Sequence, residues 1–396
     1  MSTIQIKSRK ACNKELDGFW DQGFRPFFFA AIIFSFISIF YWGLIYAGYV
    51  NAPGAKACAT EWHAHQMIFG YAMAVIAGFL LTAVPNWTNT SSNGGMKLAS
   101  IFSFWLISRI LFLAGDSFLA LAAISDIIFG ILLFYAVALP IIKTKSWGQS
   151  GVMAKLILLI TSNIFFYLSI LGFIDGFSKQ AIYSGFFIII GLILTISARV
   201  FPNFARIATG LDYISKETVK LRVTAVLVFL FFYVNEVFVQ NEHFSAGISL
   251  LLFLIYSRRI YQWHHIKIWS KPLIWSLYLA VSFIAMSFLL LSLSYILPVP
   301  KLIAIHCMAI GGIGFSTAGF MVRVSLGHSG KNIHSPPRHT STVLRLLFVS
   351  LFFRIALPLI NMQNYLYWIL LSQLFWVLAF FILLFVCFEN KKQIQA

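Results

Sequence analysis

The chain has 396 residues, of which 60% are hydrophobic and 10% charged, and its formal net charge is +17. Soluble domains carry about half apolar and about a quarter charged residues, so this balance excludes an ordinary water-soluble fold. A hydrocarbon core about 30 Å thick needs about 20 apolar residues per helix. Runs of that length recur along the whole chain and predict spans near 26–50, 62–84, 98–115, 118–142, 153–174, 181–199, 221–240, 244–262, 272–296, 302–322, 341–360 and 364–388. The expected fold is therefore an all-α polytopic membrane protein: a tail at 1–25, one twelve-helix domain at 26–388 and a tail at 389–396.

The N-terminal tail carries Lys7, Arg9, Lys10, Lys14 and Arg25 with no small-residue cleavage pattern before the first span, so that span is expected to stay attached. Among the loops on the other side, only Lys56, Lys179 and Lys301 are basic, and Arg109 and Arg354 fall inside spans. Every other Lys and Arg lies in a tail, in an even-numbered loop or at the span ends beside them, which predicts both termini in the cytoplasm. Charge spread over many short loops argues against a nucleic-acid partner; the partner is the lipid bilayer. Cys12, Cys58, Cys307 and Cys387 form no C-x-x-C spacing for zinc, redox chemistry or c-type haem attachment.

The second span opens on Trp62-His63-Ala64-His65-Gln66-Met67, and the tenth carries His306 at a similar depth. A single imidazole there is an ordinary interfacial residue, but three at one depth call for a partner or a metal. Helical positions i and i+2 are about 200° apart, so His63 and His65 face opposite sides and only one of them can meet His306 across one iron. Such a pair suits a bis-imidazole haem held between facing helices. The other histidine is then free for a second metal or for hydrogen bonding. Arg109 and Arg354 lie near this depth with few acids around them: Asp126, Glu236 and Glu242. Each either snorkels to the interface or meets an anion, and haem propionates would supply one.

A second polar group marks the side of the termini. Gly23-Phe24-Arg25-Pro26 opens the first span, while Val84-Pro85-Asn86-Trp87, Arg199-Val200-Phe201-Pro202-Asn203-Phe204 and Arg323-Val324-Ser325-Leu326-Gly327-His328 close the second, sixth and tenth. Helix capping and boundary arginines explain any one of them. Their recurrence every four helices predicts three four-helix arcs with helices 2, 6 and 10 innermost. His328, with Arg25, Arg199 and Arg323 balancing anionic groups, is the candidate for a second cofactor. His65 with sulfur from Met67 or Met73 is the competing proposal for copper. His243, His264, His265, His334 and His339 read as solvated rim residues.

These strings carry a resemblance along nearly the full chain. Phe24-Arg25-Pro26-Phe27-Phe28, Trp62 to Gly70, Ala77 to Thr88 and Arg323 to Gly330 are similar to the NnrS family. The resemblance implies a bacterial cytoplasmic-membrane protein that carries haem and copper and acts in nitric oxide metabolism, denitrification or nitrosative-stress resistance. Gln66 departs from it, since a glutamate is expected there. The chain also distantly resembles the large subunit of haem–copper oxidases and nitric oxide reductases, in which positions matching His63 and His306 would ligate a low-spin haem. Ala304 stands where the high-spin haem ligand would fall, and no histidines stand in the sixth or seventh span for an oxidase copper. The implied function is a haem protein acting on nitric oxide or nitrosyl species as a redox enzyme or a sensor, with the electron donor unidentified. The alternatives are a transporter of a metal or nitrosyl complex without a redox cofactor, and a metal storage and delivery protein.

Overall fold

The computed structural model describes residues 18–92, 94–210 and 218–388. Lys7, Arg9, Lys10, Cys12 and Lys14 of the basic tail, and the C-terminal tail 389–396, lie outside the described residues. Among the described residues, twelve helices are long and apolar enough to cross a membrane. They are α1 (Phe24–Tyr46), α2 (Ala59–Thr88), α3 (Met96–Leu113), α4 (Asp116–Lys143), α5 (Trp147–Ile170), α6 (Ser178–Thr209), α7 (Val219–Val239), α8 (Glu242–Trp263), α9 (Pro272–Ser294), α10 (Lys301–His328), α11 (His339–Ile360) and α12 (Tyr365–Phe388). Hydrocarbon offers the backbone no hydrogen-bond partner, so an apolar chain crossing it must satisfy each peptide group within its own helix. An even number of crossings returns the chain to the side on which it began; the opposite side is called distal below.

The helices differ sharply in burial. α2, α6 and α10, at 30, 32 and 28 residues, are set apart by enclosure: their most apolar stretches are 83%, 78% and 78% buried, against 44% for α4, which is as long as α10. α7, by contrast, is 28% buried and turns Val226, Leu230 and Phe231 outward, as a lipid-facing helix does. α2, α6 and α10 also touch one another, which makes them the innermost helices. Around them α3 pairs with α4, α5 with α6, α8 with α9 and α11 with α12, and α1 packs on α12.

The inner helices approach closely because small residues stand at their crossings. A Cβ added at Gly185 of α6 would come 2.6 Å from the Phe69 ring of α2, and one at Gly312 of α10 would come 2.6 Å from Ile284 of α9. One hydrogen bond ties α2 to α10 in the buried core, between the hydroxyls of Tyr71 and Thr317 at 2.6 Å.

Two features depart from the sequence reading. Pro85 and Pro202 lie inside α2 and α6 instead of stopping them, so both helices run past their predicted ends. Asn86 Nδ2 donates to the Thr82 carbonyl at 3.1 Å, one of the side-chain bonds that satisfies backbone groups near the proline. α2 ends at Asn89 in the left-handed conformation (φ 52), and α6 ends at Gly210 (φ 69), whose N–H returns to the Arg206 carbonyl. The second departure is a set of π-helical turns at Gln66–Ala72 in α2, Asn235–Val239 in α7 and Cys307–Gly314 in α10. The first begins directly after His65 and the third directly after His306. An extra residue in a turn re-aims the side chains around it, and such turns concentrate at functional sites.

Candidate cofactor site

The distal end of α2 is held before its histidines begin. The Cys58 N–H donates to Glu61 Oε2 at 3.1 Å, closing the first turn, and Ser178 of α6 donates to the other oxygen of Glu61. One turn later His63 lies flat on Trp42 of α1, with ring centroids 4.6 Å apart and planes 7° apart. Its Nδ1 is buried and has no hydrogen-bond partner among the described residues.

The distal end of α10 is held by an ion pair. Lys301, its first residue, pairs with buried Glu236 in the π-helical turn of α7. Tyr295 Oη donates to that carboxylate at 2.9 Å and Ser245 Oγ at 2.7 Å. Five residues on, His306 Nδ1 lies 2.8 Å from the Leu302 carbonyl. A carbonyl only accepts, so Nδ1 bears the proton, and the lone pair of the neutral ring is on Nε2. Arg354 of α11 donates to that Nε2 from Nη2 at 3.2 Å, and its Nη1 donates to Tyr365 Oη of α12 at 2.9 Å. His63, His306 and Arg354 lie within electrostatic reach of one another. Helices α1, α2, α10, α11 and α12 thus converge on one cluster.

Arg354 is only 9% exposed, and among the described residues no carboxylate pairs with it. The cluster therefore combines two imidazoles, one of them with its tautomer set by a backbone carbonyl, with a buried cation that no anion pairs among the described residues. Imidazoles beside an arginine could hold an anionic metal macrocycle, with the imidazoles as metal donors and the guanidinium balancing charge.

Arg109 corrects the sequence reading. It does not lack an acid, because it pairs with Asp126 of α4 and also donates to Gln66 Oε1 at 3.2 Å and Ser108 Oγ at 2.9 Å. Asn163 Nδ2 and Tyr167 Oη of α5 donate to the same Asp126 oxygen at 2.9 and 3.1 Å. His65 belongs to this second network: its Nε2 meets Asn163 Oδ1 at 2.9 Å, and its ring is boxed by Phe69, Phe112, Phe166 and Tyr167. His63 and His65 thus face opposite sides of α2, as their spacing requires. Gln66, standing where a glutamate was expected, accepts from Arg109 as a neutral group, and Asp126 alone balances that guanidinium.

His65 has surroundings that give copper, with sulfur from Met67 or Met73, no support. Its Nε2 is engaged by an amide, and the Arg109 cation beside it opposes a second positive charge. Among the described residues no three His, Cys, Asp or Glu side chains gather around a point that would hold a metal ion.

On the side of the termini the four candidates are only partly brought together. His328 lies against Phe24 with ring centroids 5.6 Å apart and planes tilted by 37°, and is within electrostatic reach of Arg25. Arg199 is engaged elsewhere, donating to Gln149 Oε1 at 2.6 Å beside the Trp87 ring, and Arg323 lies over Phe204. Each arginine is thus committed to a different neighbour, and the four do not form one ligand cradle. Trp42, Tyr365, Asn163 and Tyr167 were not picked out in the sequence. They are common helix residues whose roles appear only when five helices meet.

None of the curated proteins compared with the chain is significantly similar to it. The family model described as NnrS protein, however, matches residues 18–389, from just before α1 to just after α12. With twelve helices, the distal histidines and the Arg-Pro-Phe and Val-Pro-Asn-Trp strings all inside that match, the chain belongs to the NnrS family.

Proposed function

We propose that the chain binds haem at its distal face between His63 of α2 and His306 of α10, and that it serves nitric oxide metabolism or nitrosative-stress resistance. The family supports the biological setting. The observation that carries the cofactor reading is the convergence of His63 and His306 beside Arg354, a buried guanidinium without a carboxylate.

Each residue has a definite task. The Leu302 carbonyl holds the Nδ1 proton of His306, which leaves Nε2 as the atom that would meet iron once Arg354 turned from it to a propionate. Trp42 fixes the plane of His63 and shields one of its faces from water. Arg354 supplies the charge that a propionate needs, with Tyr365 orienting the guanidinium. Lys301 and Glu236 hold the first turn of α10 in register, so that His306 presents itself at the same depth as His63. Haem, when bound, supplies the iron that binds nitric oxide or exchanges an electron with it. Continuous α2, α6 and α10 disfavour the carrier reading, since carriers build midplane sites from interrupted helices.

The test is optical. Protein purified in detergent from haem-replete cells is expected to show a six-coordinate, low-spin bis-imidazole spectrum. His306→Ala and His63→Ala should each abolish that spectrum while leaving a folded chain. A colourless wild-type preparation would refute the assignment.

A further inference from the structure

A small recess opens on the side of the termini and belongs to neither network above. It is a cavity of about 10 Å3 between the start of α9, the end of α6, the last turns of α10 and the segment that follows α10. Arg323 and Lys271 are its basic side chains, His334 stands at its edge, and Ala208, Leu273 and Ile333 form apolar walls.

The cations are held in unusual ways for boundary residues. The Arg323 guanidinium carbon sits 3.5 Å above the centroid of the Phe204 ring. Among the described residues neither a carboxylate nor a carbonyl accepts a hydrogen bond from Arg323, and none accepts from the Lys271 ammonium. Lys271 immediately precedes α9, whose first residue is Pro272, so the N–H of Leu273 has no helical carbonyl to reach. Arg323, Lys271 and the first turn of α9, which together offer a guanidinium, an ammonium and an unpaired helical N–H, therefore border one apolar-walled recess. These are the donors that a phosphate oxygen takes. The volume admits about one oxygen atom, so an anion would be gripped by one oxygen with the rest of the group outside.

We infer that this recess is a binding site for a phosphate group, donated by an anionic phospholipid of the leaflet facing the termini. Lys271 and Arg323 lie at the first turn of one spanning helix and near the last turn of another, which is the depth of headgroup phosphates. General attraction of basic loops to anionic lipid does not account for the geometry. Such charges act from solvated loops, whereas Arg323 lies between helices with one face closed by Phe204.

Native mass spectrometry of the full-length protein, released from membranes into mild detergent with added phosphatidylglycerol, tests the site. The wild type is expected to retain one phosphatidylglycerol at least fivefold more strongly than Arg323→Gln or Lys271→Gln. Lys267→Gln, on the neighbouring exposed loop, should retain it like the wild type. Lys271→Gln keeps the test decisive if the more buried Arg323 substitution impairs folding. Displacement of the lipid by millimolar inorganic phosphate, with phosphate itself retained, would assign the same site to free phosphate. Equal retention in all four proteins, or equal loss in Lys267→Gln, would overturn the proposal. Haem content plays no part in the readout, so this test and the optical one fail independently.

Discussion

A guanidinium buried in hydrocarbon needs an anion, and the two arginines of the distal half meet that need differently. Arg109 has Asp126, with Asn163 and Tyr167 donating to the same carboxylate oxygen, so its charge is balanced within the protein. Removing one partner of a buried pair leaves an uncompensated charge and costs about 3–5 kcal/mol. Asp126→Asn is therefore expected to lower thermal stability in detergent by an amount of that order, and Asp126→Asn with Arg109→Gln should recover part of it. A double variant no more stable than the single one would show that charge balance is not what the pair supplies. Among the described residues Arg354 has only hydroxyl and imidazole partners. Arg354→Gln should leave the fold intact and reduce haem occupancy several-fold, measured as haem per polypeptide, whereas Arg109→Gln should not shift the haem spectrum. In the sequence the two arginines look alike. What separates them is the facing of α3 and α4, which hydropathy does not encode.

At the scale of helices, burial singles out three elements. α2, α6 and α10 are the most enclosed, and glycines permit their close contacts. Gly185→Ala would push a methyl to 2.6 Å from the Phe69 ring, inside the π-helical turn that follows the histidines of α2. Overpacking of this kind costs about 1–3 kcal/mol. The expected result is a lower unfolding temperature together with a perturbed haem spectrum, because the turn that re-aims α2 must shift. An unchanged spectrum would separate helix packing from the cofactor site. The spans were readable from apolar runs, and the four-helix recurrence correctly picked out the inner three. The extra turns beyond Pro85 and Pro202 were not readable, because proline stops a helix unless its surroundings satisfy the freed carbonyls. The π-helical turns leave no compositional mark at all.

For the whole molecule, the distribution of Lys and Arg makes an expectation about orientation that can be checked without a structure. Cys58 is exposed at the distal end of α2, while Cys307 is buried. In a Cys12→Ser variant, a membrane-impermeant maleimide should modify Cys58 in intact cells whose outer barrier has been made permeable. Modification only after the cytoplasmic membrane is broken would reverse the orientation. Composition and hydropathy by themselves determined the twelve crossings, their order and the return of both ends to one side. These follow from the cost of burying peptide groups and charges in hydrocarbon, which is summed along the chain and needs no knowledge of neighbours. Only the tertiary structure decided that His63 lies within electrostatic reach of His306 while His65 bonds Asn163, that Asp126 belongs to Arg109, and that the four polar residues near the termini part company. Those outcomes depend on the rotation of each helix about its own axis, and that rotation is set by contacts between side chains far apart in the chain.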